Sequence, residues 1–189
     1  DSFVAPQSTQ MQDGLAKLYR RVPLGSTDME KAIQVAIDSF AQLNANRRAI
    51  LYIGDGLSAA KMTSPDALFA EIERCREKQL PINSYAIGPN TDFVFLANLA
   101  NQTGGRLLLD GPNITSEVAA DHLAKAVVGT VLWPESDAIE WPAEVEIATK
   151  TVQPLRTDRD NIILGTGGQL AGSTLFVPGL IGIDPVRFE

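Results

Sequence analysis

A continuous apolar run, Ala49–Ile53, leads straight into Gly54-Asp55-Gly56, and this feature constrains the fold more than any other. An unbroken apolar strand suits a parallel sheet that is covered on both faces. Two further strand-type runs follow near residues 82–87 and 106–109, and helix-type segments separate them. Strands that alternate with helices are typical of βαβ units. The sequence therefore predicts an α/β fold with a doubly wound, mostly parallel sheet.

Apolar spacing also predicts the helices. Met29, Ile33 and Ile37 recur at the interval that places side chains on one face of a helix. Thr27, followed three residues later by Glu30, has the pattern of a capping box at the start of that helix. We expect helices near residues 8–20, 27–43, 65–79, 93–102 and 116–131, and parallel strands near 49–54, 82–87 and 106–109.

The character of the chain changes at Trp133-Pro134. Beyond this point lie short β-type runs broken by Gly and Pro, without helical periodicity. We expect an α/β domain in residues 1–133. Residues 134–189 are predicted to be a β-rich segment that starts a second domain.

Charge and hydropathy exclude two classes of partner. The 189 residues carry a net charge of −7, and no Lys/Arg cluster exceeds a pair such as Arg20-Arg21. Binding along a nucleic-acid backbone depends on neutralising phosphates, so we expect no nucleic-acid partner. The apolar runs are too short to cross a bilayer, so we expect no membrane insertion. The oligomeric state and the localisation stay open.

Asp55 and Thr27 are the candidate ligands of a metal ion. Asp55 lies two residues past the end of an apolar strand, and ligands of open α/β sheets bind outside the carboxyl ends of the strands. Thr27 begins the preceding helix, which can start at the same rim of the sheet. Hydroxyl and carboxylate oxygens suit Mg²⁺. No arrangement of a nucleophile with a base, and no cofactor motif, stands out, so we predict no catalytic or cofactor-binding residue.

Three stretches resemble von Willebrand factor A (vWA) domains in order and spacing. They are GSTD (Gly25–Asp28), LYIGDG (Leu51–Gly56) and the stretch Tyr85–Gly105, which ends in Thr-Gly-Gly. The resemblance extends across roughly residues 8–131. It implies a Rossmann-like sheet and a metal ion-dependent adhesion site, in which Thr27 matches the Thr of the second loop and Asp55 the Asp of the third. It further implies Mg²⁺ and a protein partner that presents an acidic side chain.

Two departures from the family pattern carry expectations of their own. The first loop of the family site, Asp-x-Ser-x-Ser, has no match in this chain, and Gly54 stands where the family commonly has Thr. We therefore expect that the chain starts inside the domain and lacks its first strand and helix. The strand at Ala49–Ile53 would then have a free edge, which invites association. The resemblance favours a location outside the cytoplasm or at the cell surface.

Three alternatives remain open at this point. The domain could be a metal-free scaffold of the same fold, and Asp55 could serve only to cap its loop. The IGDG stretch also resembles the metal loop of haloacid-dehalogenase-like phosphatases. That chemistry needs an Asp-x-Asp nucleophile loop ahead of this stretch and normally a further acid just after the GDG. No Asp-x-Asp precedes Gly54, and residues 57–60 are Leu-Ser-Ala-Ala. We therefore expect a metal-dependent, protein-binding adhesion or scaffold module and not an enzyme.

Overall fold

The computed structural model describes residues 3–22, 27–41, 45, 47–58, 64–142, 145–149, 151–167 and 174–188. Its helices are α1 (Thr9–Tyr19), α2 (Met29–Ser39), α3 (Pro65–Glu77), α4 (Phe93–Gln102) and α5 (Ser116–Val128), with a 3₁₀ turn at Ser136–Ala138. Its strands are β1 (Ile50–Gly54), β2 (Ile82–Ala86), β3 (Leu107–Leu109), β4 (Val131–Pro134), β5 (Glu146–Ile147), β6 (Leu155–Arg156), β7 (Gly165–Thr166), β8 (Val177–Ile181) and β9 (Asp184–Phe188). In this part of the chain, no helix has the length and apolar character that crossing a bilayer requires.

β1, β2 and β3 form a parallel sheet in which each strand pairs with the next one along the chain. Ile50 lies opposite Ile82, and Ser84 lies opposite Leu107. The predicted α/β fold and the parallel pairing are confirmed. A doubly wound sheet needs a point where the strand order reverses. The described strands keep the order β1-β2-β3 and have no such point, so the double winding stays a prediction.

The start of α2 corrects one expectation. The helix begins at Met29, and its N-cap is Asp28, whose Oδ1 accepts the N–H of Lys31 at 3.0 Å. The capping box predicted at Thr27 and Glu30 is therefore wrong, because the helix starts one residue later than that pattern requires. Asp is as good an N-cap as Thr, so the local sequence offered two solutions. Residues 42–43, at the predicted end of this helix, lie outside the described residues.

One face of the sheet carries the main core. Ile50 and Tyr52 of β1 pack against a buried cluster drawn from α2, α3, α4 and β2. Its members are Ile33, Ile37, Phe40, Ile72, Cys75, Leu80, Ile82 and Leu99. Burying one such aliphatic side chain contributes roughly 1.5–3 kcal/mol, so this face dominates the stability of the α/β part.

The other face of β1 is covered less well. Leu51 and Ile53, which alternate with Tyr52 along the strand, are 42% and 54% exposed. Among the described residues, the outer edge of β1 has no neighbouring strand. The association that a free edge invites stays a prediction.

From Val131 onward the chain forms short antiparallel strands. One sheet has the order β6-β4-β8-β9, and β5 pairs with β7. Leu132, Ile139, Val152 and Val177 form a separate core cluster here. β4 begins three residues before the predicted boundary at residue 134. That residues 134–189 start a second domain stays a prediction.

Candidate functional site

Polar side chains gather where the three parallel strands end. Asp55 follows β1, Asp92 follows β2 and Asp110 follows β3. We use the term upper edge for this rim, which comprises residues 27–28, 55–58, 87–92 and 110. We use the term lower edge for the opposite rim, which comprises residues 47–49, 79–81 and 103–106. α2 and α4 begin at the upper edge, and their N-termini favour the acids that cap them, Asp28 and Asp92. The upper edge therefore has the position and the polarity of a ligand site.

Asp55 sits in a loop that backbone contacts hold in place. Its carbonyl oxygen accepts the N–H of Asp92 at 2.8 Å, and its Oδ1 accepts the N–H of Leu57 at 3.0 Å. Asp55 thus does cap its own loop. No Lys or Arg of the described residues forms an ion pair with it. No cationic side chain of the described residues therefore competes for this carboxylate.

Thr27 meets the Asp55 loop through Ser58. The Ser58 hydroxyl donates to the carbonyl oxygen of Thr27 at 3.4 Å and accepts the N–H of Met29 at 3.3 Å. Since Asp28 caps α2, that cap does not use the exposed Thr27 side chain. The two loops that carry the predicted site residues therefore lie against each other. Residues 25–26, the first half of the GSTD stretch, lie outside the described residues.

Sequence reasoning missed Tyr52. Its hydroxyl oxygen accepts the N–H of Gly56 at 3.1 Å, directly beneath the Asp55 loop. Burial raises the pKa of Tyr52 above its usual value, and the neighbouring Asp55 carboxylate adds to that rise. Strand alternation places Tyr52 on the covered face of β1 but does not reveal that its ring reaches the loop. The one feature of the sequence that could have indicated this contact is the position of Tyr52 two residues before Gly54, on the same face of the strand.

The other acids of the upper edge are engaged in local contacts. Asp28 and Asp92 cap α2 and α4, and Asp110 accepts the hydroxyl of Tyr85 at 2.8 Å. Within the described residues, no three His, Cys, Asp or Glu side chains come together as a metal cluster. The edge thus offers oxygen ligands of the kind that hard cations prefer, and of its four acids only Asp55 neither caps a helix nor binds a tyrosine.

The lower edge explains the Thr103-Gly104-Gly105 turn. The Thr103 hydroxyl donates to the carbonyl oxygen of Leu99 at 2.7 Å and accepts the N–H of Ile82 at 3.0 Å, which joins α4 to β2. A Cβ on Gly105 would collide with the carbonyl oxygen of Ile82. Glycine is therefore required at Gly105, because the turn runs against the backbone of β2.

Arg156 holds this turn from the β-rich segment. The side chain is fully buried, and its guanidinium donates to the carbonyl oxygens of Gly104 and Ala126, both at 3.0 Å. It also pairs with both carboxylate oxygens of Asp158, at 2.7 and 2.9 Å. The Arg156 guanidinium holds the pKa of Asp158 below its usual range. At the lower edge, buried hydrogen bonds of Arg156 thus connect the α/β part to the strands that follow it.

β1, β2, the Asp55 loop and the Thr-Gly-Gly turn lie within one family match, which ends inside β3. Residues 2–108, over half of the chain, match the von Willebrand factor type A domain family. The chain belongs to this family. The sequence resemblance to vWA domains is therefore confirmed, and it supports a general role as a protein-interaction module. Among curated proteins, none matches the chain.

Proposed function

We propose that this vWA domain binds a protein partner through Mg²⁺ at the upper edge, with Thr27 and Asp55 as the ligands from this chain. The partner supplies an acidic side chain that completes the coordination. The module has no catalytic task. The observation that carries the proposal is the contact of the two loops through Ser58.

The donor chemistry of the upper edge supports this role. A hydroxyl and one carboxylate are oxygen donors of the type that Mg²⁺ accepts. A site with few carboxylates leaves the ion with most of its charge, so that it still attracts an acid from outside. Asp55 is free of ion pairs with described cationic side chains, which leaves its charge available to a metal.

A metal-free scaffold is the second candidate, and one observation favours it. Within the described residues, no cluster of three or more acidic, His or Cys side chains is present. In addition, Oδ1 of Asp55 is already occupied by the N–H of Leu57, as expected of a residue that only caps its loop. A scaffold of this kind would bind its partner through surface shape, with no response to chelators.

Calorimetric titration of Mg²⁺ into the whole chain separates these candidates. We expect weak binding, with a Kd on the order of 1 mM, because affinity grows with the number of ligands and this chain supplies few. Asp55→Ala and Thr27→Ala should each weaken or abolish the heat. Asp13→Ala removes an exposed acid from α1 and serves as the matched control, with heats equal to the wild type.

Two outcomes would contradict the proposal. Equal heats from the wild type and Asp55→Ala would mean that Asp55 is only a loop cap. No heat from any variant would favour the metal-free scaffold. Turnover of a phosphate ester that depends on Asp55 would instead support the phosphatase alternative.

A further inference from the structure

Tyr52 lies directly beneath the loop that carries Asp55. The residue belongs to β1, and its ring packs against the main core, so the strand and the core fix its position. From there its hydroxyl oxygen reaches the N–H of Gly56, four residues along the chain, at 3.1 Å. A strand side chain that bonds the backbone of the following loop ties the orientation of that loop to the core.

Gly54 makes this reach possible. A Cβ at Gly54 would lie 2.6 Å from the hydroxyl oxygen of Tyr52 and 2.9 Å from its Cζ. Real Cβ atoms do not approach other atoms so closely, so a side chain here would push the phenol away. The departure from the family pattern at Gly54 thus has a physical counterpart, because the phenol of Tyr52 occupies the space that a Thr side chain would need.

The peptide between Asp55 and Gly56 is therefore held at both of its polar groups. Its carbonyl oxygen, that of Asp55, accepts the N–H of Asp92 at 2.8 Å. Its N–H, that of Gly56, donates to Tyr52. Gly56 itself has φ +76°, a conformation that favours glycine, so the loop has little freedom to find another arrangement. Two hydrogen bonds on one peptide therefore restrict the direction in which the Asp55 side chain leaves the backbone.

We propose that Tyr52 is the positioning residue of the Asp55 loop, and that Gly54 is glycine in order to admit its phenol. The purpose of this arrangement rests on the proposed function, since it presents the Asp55 carboxylate at the upper edge. Tyr52 acts through the Gly56 amide and needs no contact with the ion. Burial raises the pKa of Tyr52 and the Asp55 carboxylate adds to that rise, so a cation beside Asp55 should lower it again.

Tyr52→Phe tests the contact itself, because it keeps the ring in the core and removes only the acceptor. Tyr85→Phe is the matched control, since Tyr85 lies on the neighbouring strand and its hydroxyl contacts Asp110 instead of the Asp55 loop. We expect hydrogen exchange of the Gly56 amide, followed by NMR, to become about tenfold faster in Tyr52→Phe and to stay unchanged in Tyr85→Phe. Gly54→Ala should accelerate the same amide, because it displaces the phenol. An unchanged Gly56 amide in Tyr52→Phe would overturn the proposal.

Mg²⁺ supplies the second readout. We expect the affinity for Mg²⁺ to fall several-fold in Tyr52→Phe, and we expect Mg²⁺ to lower the pKa of Tyr52 in an ultraviolet titration, because a cation offsets the Asp55 charge. A wild-type affinity that Tyr52→Phe leaves intact would overturn the positioning role. If the wild type binds no Mg²⁺, the proposed function fails, and the exchange of the Gly56 amide alone then decides whether Tyr52 positions the loop.

Discussion

The upper and lower edges of the sheet obey the same electrostatic rule with opposite charges. At the upper edge, Asp28 and Asp92 accept N–H groups from the N-termini of α2 and α4. At the lower edge, Arg48 donates to the carbonyl oxygen of Lys78 at the end of α3, and Arg156 donates to that of Ala126 in the last turn of α5. Acids at N-termini and cations at C-termini both complement the helix dipole.

The contacts at the helix ends of the two edges differ in how far apart in the chain they reach. The caps of the upper edge join residues three apart and stay near the surface. The Arg156 contacts of the lower edge are buried and join residues 30 and 52 positions apart. Long-range buried contacts hold a fold together, whereas short exposed ones can change at little cost to the rest of the molecule. The comparison teaches that the helix-end contacts of the lower edge contribute more to stability than the helix caps of the upper edge.

Removing Arg156 is the strongest way to test this division. Arg156→Met should lower the free energy of unfolding by about 3–5 kcal/mol, because two buried carbonyl oxygens lose their donors and the ion pair with Asp158 is broken. Urea unfolding of the whole chain measures the change. Arg20→Met, at an exposed position just after α1, should stay within about 0.5 kcal/mol of the wild type. Equal losses of unfolding free energy in both variants would contradict a special contribution of the lower edge to stability.

Two glycines test the importance of the lower edge in a second way. The same change, Gly to Ala, should lower stability at one position and raise it at the other. Gly105→Ala forces a methyl group against the backbone of β2 and should cost about 2–4 kcal/mol. Gly14→Ala lies in α1, with open space around the new Cβ, and should stabilise the chain by about 0.5–1 kcal/mol through helix propensity. Thermal melts of both variants measure this, and a tolerated Gly105→Ala would contradict the close approach.

At the upper edge, losing a cap should matter less. Asp92→Ala removes the side-chain oxygen that accepts the N–H of Phe95 at 2.9 Å and should cost about 1 kcal/mol. The backbone bond from Asp92 to the Asp55 carbonyl survives the change, so the loop should keep its place. Asp13→Ala provides the baseline for loss of an exposed acid. A loss for Asp92→Ala as large as that for Arg156→Met would remove the contrast between the edges.

The smallest expected effect is a dependence on pH that belongs to the lower edge. The Arg156 guanidinium depresses the pKa of Asp158 in the folded state, so the stabilisation is present above the ordinary pKa of Asp, about 3.9, and is lost as the pH falls through the lower folded value. Acidification below about pH 4 should therefore destabilise the wild type more than Asp158→Asn. Urea midpoints at a series of pH values measure the difference, with Asp13→Asn as control. Identical profiles for the wild type and Asp158→Asn would contradict the pairing.

The α/β part could be predicted because its information is local. Apolar runs and helical spacing indicate β1, β2 and β3 with the helices between them, and parallel pairing follows from that alternation. Arg156 could not be predicted in the same way. It lies in a strand of two residues, and its burial depends on carbonyl oxygens that belong to a distant turn and a distant helix. No sequence pattern around Arg156 predicts that it will contact Gly104 and Ala126.

The candidate site shows the same limit on a smaller scale. Position at a strand end indicated Asp55, and position at a helix start indicated Thr27, since topology alone brings such residues to one rim. The hydrogen bond from Ser58 to Thr27 depends on the conformation of both loops. The hydrogen bond between Tyr52 and Gly56 depends on the direction in which the Tyr52 side chain extends from its strand. The N-cap of α2 is Asp28 and not the predicted Thr27, because these two adjacent residues have nearly equal capping strength. Loop geometry of this kind follows from packing rather than from pattern.

The buried Cys75 gives the experimenter a practical freedom. It is the one cysteine of the chain, its side chain is wholly enclosed in the main core, and burial raises the pKa of its thiol to about 12. Only the thiolate reacts with maleimides and iodoacetamides, so the native chain resists such labels while it stays folded. A cysteine introduced at Asn90, an exposed residue of the upper edge that is not a proposed ligand, would therefore be the single labelled position. A fluorophore there would report events at the upper edge without background from the rest of the protein, and labelling of Cys75 would measure unfolding in the same sample.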